Sequence, residues 1–257
     1  NAVVFRPEGA NLVTGGFGGT GLEVARWMAT RGARRLILLA RQPLPPRGEW
    51  DTVDQNSAQR ARIGAVLALE ALGATVETAS GDVGDGSQLS AWLGQYRREH
   101  GPTIRGIVHA AGVAQYRLVA DHEAGDLEAV WHGKVNGAWL LHTLFADAPL
   151  DFFVMFSSAS VLINSPLVGS YAAANAFLDA LAVERRAAGQ AALSVNWGAW
   201  SRVGMAAGTG DGRSQASDVV PPDVGVGMLA MLLDRGASRA AVLPIDWTEW
   251  QPLHPSS

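Results

Sequence analysis

The chain contains no cysteine. That excludes disulfides, thiolate metal sites and any thioester carried on a cysteine of this chain, so carbon–carbon bond formation through a Cys nucleophile is not its chemistry. An excess of basic charge is absent too. With 20 Lys plus Arg against 24 Asp plus Glu, a formal net charge of -4 and no dense basic run, there is no general field for nucleic acid. Any phosphate must be recognised locally. No apolar run approaches the roughly 18 residues of a membrane span, and residues 1–9 lack the charged-then-apolar layout of a signal peptide. A soluble, cytoplasmic protein without a membrane, nucleic-acid or metal partner is the expectation.

What is present is a chain of 257 residues, 48% hydrophobic and 17% charged, enough to bury one sizeable α/β core. Short β-rich runs at 10–14, 35–40, 74–80, 104–109, 152–157, 192–196 and 240–245 alternate with stretches of helical apolar spacing at 22–31, 60–72, 89–99, 127–145, 171–188 and 224–233. That rhythm predicts a doubly wound parallel sheet of about seven strands with helices on both faces. Two segments interrupt it. Residues 42–57, with Pro43, Pro45 and Pro46, read as an extended surface loop, and residues 201–222 are rich in Gly, Ser and Asp. There is no internal repeat and no interdomain linker.

Thr14-Gly15-Gly16-Phe17-Gly18-Gly19-Thr20-Gly21 follows the first predicted strand and opens the first predicted helix. This is the setting of a dinucleotide fingerprint, in which glycines let the backbone approach a pyrophosphate at the positive end of a helix. At the end of the second strand, where an NAD-binding protein places an acidic residue for the ribose diol, stands Ala40-Arg41. An Arg there suits a 2′-phosphate, hence NADPH. Asp82-Val83 after the third strand either holds the adenine or caps the helix that follows.

Ser157-Ser158 ends the fifth predicted strand, and Tyr171 and Asn175 lie four residues apart, on one face early in the next helix. Hydroxyls and an amide thus converge at the carboxyl ends of the strands, where ligands bind in this architecture. With these residues the chain resembles the short-chain dehydrogenase/reductase superfamily. More narrowly, it resembles the ketoreductase domains of bacterial modular polyketide synthases. The superfamily pattern is Tyr-x-x-x-Lys, whereas Asn175 stands in the lysine's place here. In the polyketide synthase ketoreductases Lys and Asn exchange places, and Lys134 in Gly133-Lys134-Val135-Asn136-Gly137-Ala138-Trp139 matches that Lys. The match extends to His109-Ala110-Ala111-Gly112, Phe156-Ser157-Ser158, Ala176-Phe177-Leu178-Asp179-Ala180-Leu181 and Asn196-Trp197-Gly198, and spans residues 5–250.

The resemblance implies a Rossmann-like fold and NADPH-dependent reduction of a β-ketoacyl thioester, held on an acyl carrier protein by phosphopantetheine. It also implies neighbouring domains of the same synthase as partners. Tyr171 would protonate the ketone oxygen, Ser158 donate a second hydrogen bond to it and Lys134 supply a fixed charge favouring the phenolate. Asn175 would anchor Lys134 or a water relay. The cofactor would lie against Thr14, Gly15, Gly16, Phe17, Gly18, Gly19 and Gly21, with Arg41, Asp82 and Val83 at its adenosine end and Ala110, Ala111 and Gly112 beside them. The alternatives are a stand-alone reductase of a small ketone, against which the exchanged Lys134 and Asn175 argue, and a redox-silent scaffold domain.

The family pattern also sets domain expectations. Residues 1–9 look like the terminal strand of a noncatalytic structural half, 10–250 like the catalytic half and 251–257 like a tail. A substrate-covering lid is expected within 201–222. The segments that mark hydroxyl configuration are replaced here by Ala114-Gln115-Tyr116 and Ile163, and Pro166 alone matches one class.

Overall fold

The computed structural model describes residues 5–163, 167–201 and 219–245. Seven strands form one parallel sheet: β1 (Ala10–Thr14), β2 (Arg35–Ala40), β3 (Thr75–Ser80), β4 (Ile104–His109), β5 (Phe152–Ser158), β6 (Leu193–Trp197) and β7 (Arg239–Val242). Their order is β3-β2-β1-β4-β5-β6-β7. The chain leaves β1 toward one edge and returns at β4 to build the other half. That reversal opens a crevice at the carboxyl ends of β1 and β4.

Side chains alternate across each strand, so each strand feeds two cores. Val13, Leu36, Leu38, Val154 and Phe156 face the core shared with α1 (Gly19–Thr30), α2 (Ala58–Ala71) and α7 (Pro222–Asp234). Leu12, Ile37, Leu39, Phe153 and Met155 face the other, closed by α3 (Gly86–Arg98), α5 (Gly137–Leu144) and α6 (Gly169–Ala187). Burial on both faces explains why these strands read as continuous apolar runs.

The stretch expected as one helix over 127–145 is three pieces. α4 (Ala124–Trp131) passes into a π turn at His132–Asn136 before α5 begins. The carbonyl of Lys134 inside this turn is bonded by the imidazole of His109 on β4, at 3.1 Å. A side-chain partner thus takes over an acceptor of the helical ladder, and the extra residue of the wider turn swings Lys134 into the protein.

The segment expected as an extended surface loop at 42–57 is instead folded around a buried tryptophan. Its 3-10 turn, Arg47–Thr52, sinks Trp50 into the first core. The indole N–H donates to the Pro45 carbonyl at 2.9 Å, and Arg60 of α2 donates to the Trp50 carbonyl at 2.8 Å. Arg47 stacks 4.6 Å above the Trp50 ring while pairing with Glu70.

At the amino end, Phe5 is buried edge-on against Trp27 and Phe152, and Arg6 and Arg105 share the carboxylate of Asp151. Residues 5–9 form no strand among the described residues. Most of the expected lid, with Pro166 and the tail at 251–257, lies outside the described residues. At its two ends, Val220 N–H donates to the Ala199 carbonyl and Ser201 N–H to the Val220 carbonyl.

Candidate functional site

The glycine loop turns directly out of β1 into α1. Gly15 has φ of 65°, a conformation that favours glycine, and a Cβ there would lie 2.9 Å from the Ala110 carbonyl oxygen. A Cβ on Gly21 would lie 2.4 Å from the Gly15 carbonyl oxygen, and one on Gly16 2.9 Å from Leu38 Cβ. These three glycines let the loop pack on itself, on β2 and on the exit of β4. Gly18 is exposed and Phe17 and Gly19 are half-buried, so backbone faces the crevice. The first turn of α1 carries no acidic residue and Gly18 makes no side-chain cap, so its orphan N–H groups are open to an anion. The loop therefore fits a dinucleotide pyrophosphate by shape and charge.

Arg41 is exposed just past β2, and its side chain bonds no residue among those described. A second guanidinium, which sequence alone did not single out, stands nearby. Arg62 of α2 lies 5.6 Å above the Phe17 ring and donates to Gln42 Oε1 at 3.2 Å. No spacing rule links position 62 to the glycine loop; only the fold brings them together. Asp82 accepts from the Gly84 N–H at 2.9 Å and faces His132 Nε2 at 3.1 Å, while α3 is capped by Asp85, which accepts from the N–H groups of Ser87 and Gln88. The side chain of Val83 is buried in the second core. Ala110, Ala111 and Gly112 run half-buried from β4 past the glycine loop toward the π turn. A Cβ on Gly112 would lie 2.8 Å from Lys134 Cγ, so this glycine is the floor on which the lysine stem lies.

The structure brings Ser158, Tyr171, Asn175 and Lys134 together. Ser158 is the last residue of β5, and its hydroxyl oxygen accepts from Ser160 N–H at 3.2 Å and Ser160 Oγ at 3.1 Å, which leaves its own proton to be donated. Tyr171, the third residue of α6, is buried, and Lys134 Nζ lies 5.2 Å from its ring centroid. Lys134 donates to the Phe156 carbonyl at 2.6 Å. Asn175 is fully buried one turn below Tyr171; its amide donates to the Tyr171 carbonyl at 2.7 Å, and its own oxygen has no partner. This orphaned buried acceptor can take a further donor.

Burial sets the electrostatics. Desolvation pushes the Tyr171 phenol up to about 12; Tyr116 adds to the rise, while hydrogen bonds from Asn175 and Ser158 oppose it. Desolvation pulls Lys134 down to about 7, and the carboxylate of Asp179 opposes that fall. His109 is held down at about 4, first by burial and then by the charge of Lys134. Neutral at physiological pH, its imidazole donates from Nε2 to the Lys134 carbonyl and accepts at Nδ1 from Thr14 Oγ1, at 2.8 Å. His109 therefore ties the glycine loop to the turn that carries Lys134, a role that only the tertiary contacts disclose. A cleft of about 440 Å³, lined by Tyr96, Arg97, Thr143 and Asp147 among others, lies elsewhere, at the start of β4.

Comparison with known proteins gives the family. The family model described as KR domain matches residues 9–202. The chain is 43% identical over 202 residues to a phenolphthiocerol/phthiocerol polyketide synthase of Mycobacterium tuberculosis, covering 79% of this chain and 11% of that protein. It is 46% identical over 206 residues to 5-methyl-1-naphthoate synthase of Streptomyces sahachiroi, covering 80% and 12%. Among solved structures, an A-type ketoreductase from a modular polyketide synthase superposes with a TM-score of 0.83 at 35% identity, over 99% of this chain and 51% of that one. The chain thus spans only a small part of the curated relatives and about half of the solved ketoreductase. With the family model matching residues 9–202 and these relatives alike over most of the chain, the chain belongs to the ketoreductase domain family of polyketide synthases.

Proposed function

We propose that this domain uses NADPH to reduce a β-ketoacyl thioester, delivered on the phosphopantetheine arm of an acyl carrier protein, to the β-hydroxyacyl thioester. As a ketoreductase it is an oxidoreductase working with a nicotinamide cofactor; the reduced phosphorylated form, the carrier and the residue roles are our reading. The observation that carries it is the buried Tyr171 phenol, with the Lys134 ammonium 5.2 Å from its ring centroid and Asn175 one helical turn on, its amide donating to the Tyr171 carbonyl. A bound nicotinamide supplies the hydride. As charge develops on the ketone oxygen, Tyr171 gives it a proton and Ser158 donates the second hydrogen bond. Lys134 lowers the cost of the phenolate that Tyr171 becomes, and the free oxygen of Asn175 receives the water or ammonium that returns the proton. A redox-silent scaffold has no use for three such buried groups beside a half-buried serine hydroxyl.

For the cofactor, Arg41 at the end of β2 and Arg62 above Phe17 give two guanidinium groups for a 2′-phosphate. NADPH is expected to bind at least about tenfold tighter than NADH, about 1.4 kcal/mol. Equal affinities by fluorescence titration would remove that assignment. The decisive test of the reaction is NADPH oxidation with short β-ketoacyl thioesters and chiral analysis of the product. Turnover on carrier-bound or pantetheine thioesters above that on simple ketones is expected; a clear preference for a free sugar or simple alcohol would make it a stand-alone reductase. A domain that binds NADPH without turnover would be a scaffold.

A further inference from the structure

Two motifs contribute buried polar groups for which the reaction as described has no use: Asp179 of α6 and Asn196 of β6. Asp179 is 2% exposed and Asn196 1%. The carboxylate accepts from Ser194 Oγ at 2.6 Å and from Asn196 Nδ2 at 2.8 Å. The same Asn196 amide reaches Ser157 Oγ at 2.9 Å and the Ser158 carbonyl at 3.3 Å, and Ser157 Oγ donates to the Asn175 carbonyl at 3.2 Å. One closed set of bonds thus runs from Asp179 through Asn196 to the backbone of Ser158 and Asn175, two of the four groups at the proposed reaction centre.

A carboxylate withdrawn from water is costly unless its charge is matched, and its hydrogen-bond donors here, Ser194 and Asn196, are both neutral. A buried cation adjoins this network: the ammonium of Lys134 donates to the carbonyl of Phe156, the residue before Ser157, whose hydroxyl accepts from Asn196. Around Lys134 the packed elements offer the imidazole of His109 on β4, the ring of Tyr171 on α6 and the carbonyl of Phe156 on β5; His132 of its own π turn points away to Asp82. Among the described residues Asp179 is the negative charge that acts on it. Among the described residues no direct ion pair joins Asp179 to Lys134, whose ammonium donates to Phe156 instead.

We propose that Asp179 is a positioning residue of the reductase site, its buried carboxylate fixing through Asn196 the end of β5 that carries Ser158 and serving as the counter-charge of Lys134. This rests on the reductase reading for its consequence in turnover, but not for the electrostatic link. That link can be read without activity because Lys134 is the only lysine in the chain. In protein labelled with 13C-lysine, a single Cε resonance followed against pH reports the Lys134 midpoint directly.

The test compares wild type with Asp179→Asn, Asp179→Glu and Asn196→Ala by lysine NMR, NADPH titration and the pH profile of kcat. In Asp179→Asn the Lys134 midpoint is expected to fall by a pH unit or more, and the high-pH limb of kcat to move down with it, while NADPH affinity stays within about twofold. Asp179→Glu, which keeps the charge, should keep the midpoint within about half a unit of wild type. Asn196→Ala should lower kcat about tenfold or more without moving the midpoint, since it cuts the link to Ser158 and leaves the charge. A Lys134 midpoint equal to wild type in Asp179→Asn overturns the counter-charge. Should that variant not fold, a lowered midpoint in Asp179→Glu, or wild-type kcat in Asn196→Ala, overturns the proposal. An inactive wild type whose Lys134 midpoint still falls in Asp179→Asn would sink the reductase reading and leave the electrostatic link standing.

Discussion

Tyr171 sits at 9% exposure with its phenol pushed up to about 12, so it stays protonated through the neutral range and is ready to give a proton rather than take one. Replacing it with Phe keeps the ring and removes the donor. Turnover is expected to fall by roughly 10²–10⁴-fold with NADPH affinity retained, as checked by steady-state kinetics beside cofactor titration. Near-wild-type turnover in Tyr171→Phe would overturn the mechanism. Lys134, at about 7, loses its ammonium as pH rises, so kcat should decline above neutrality and Lys134→Ala should flatten that limb. His109 makes a separate prediction about stability. Its pKa is about 4 folded against 6.5 for the free group, so the unfolded chain takes up the proton first as pH falls. Its contribution is whole above about 6.5 and is lost between there and 4, at up to about 1.4 kcal/mol per pH unit. Denaturant melts at both pH values should show a smaller acid loss for His109→Asn than for wild type. At this scale the site was legible wherever residues share one strand end or one helix face, as Ser158, Tyr171 and Asn175 do. Lys134 came from family resemblance, because a lone lysine on a helix has no local mark of burial. Arg62, Asp179 and the linking role of His109 were not legible, since each depends on contacts between distant segments.

The elements themselves were readable where burial is simplest. The strands at 10–14, 35–40 and 104–109 coincide with β1, β2 and β4 because both faces of each are covered and the apolar run ends where the sheet does. Helical periodicity found α4 and α5 but not the π turn between them, because a single inserted residue barely disturbs an apolar pattern. The Pro-rich stretch hid Trp50 for a similar reason: prolines mark irregular backbone, not whether a side chain turns inward. Trp50→Ala is therefore expected to cost about 3 kcal/mol or more, measurable by urea melt, whereas a true surface loop would lose almost nothing. The glycine loop makes a paired prediction. Gly21→Ala places a methyl 2.4 Å from the Gly15 carbonyl oxygen and should destabilise the fold strongly. Gly18→Ala meets only that same oxygen, at 3.1 Å, on an exposed turn, and should cost NADPH affinity far more than stability.

As a whole the molecule is a seven-stranded sheet whose site lies at the reversal of strand order, and its first described residues hold to the body by Phe5 and the Arg6–Asp151 pair. This chain covers 51% of the solved ketoreductase it superposes on, and the expected structural half would precede residue 10. If residues 1–9 normally join a larger sheet assembly, a chain extended by that half should melt higher than this one. An unchanged melting temperature would count against that boundary. Among the described residues no helix is long and apolar enough to cross a membrane.

The lone lysine also turns the π turn into a clock. A lysine-specific endoprotease has a single place to cut in this chain, after Lys134, and that bond is out of reach while α4, the turn and α5 stay docked against β4. Cleavage then counts the openings, local or global, that expose this turn. Any molecule that seats in the crevice and tightens the His109 bridge should slow the cut in proportion to its occupancy, which makes digestion a gauge of ligand binding that needs no turnover.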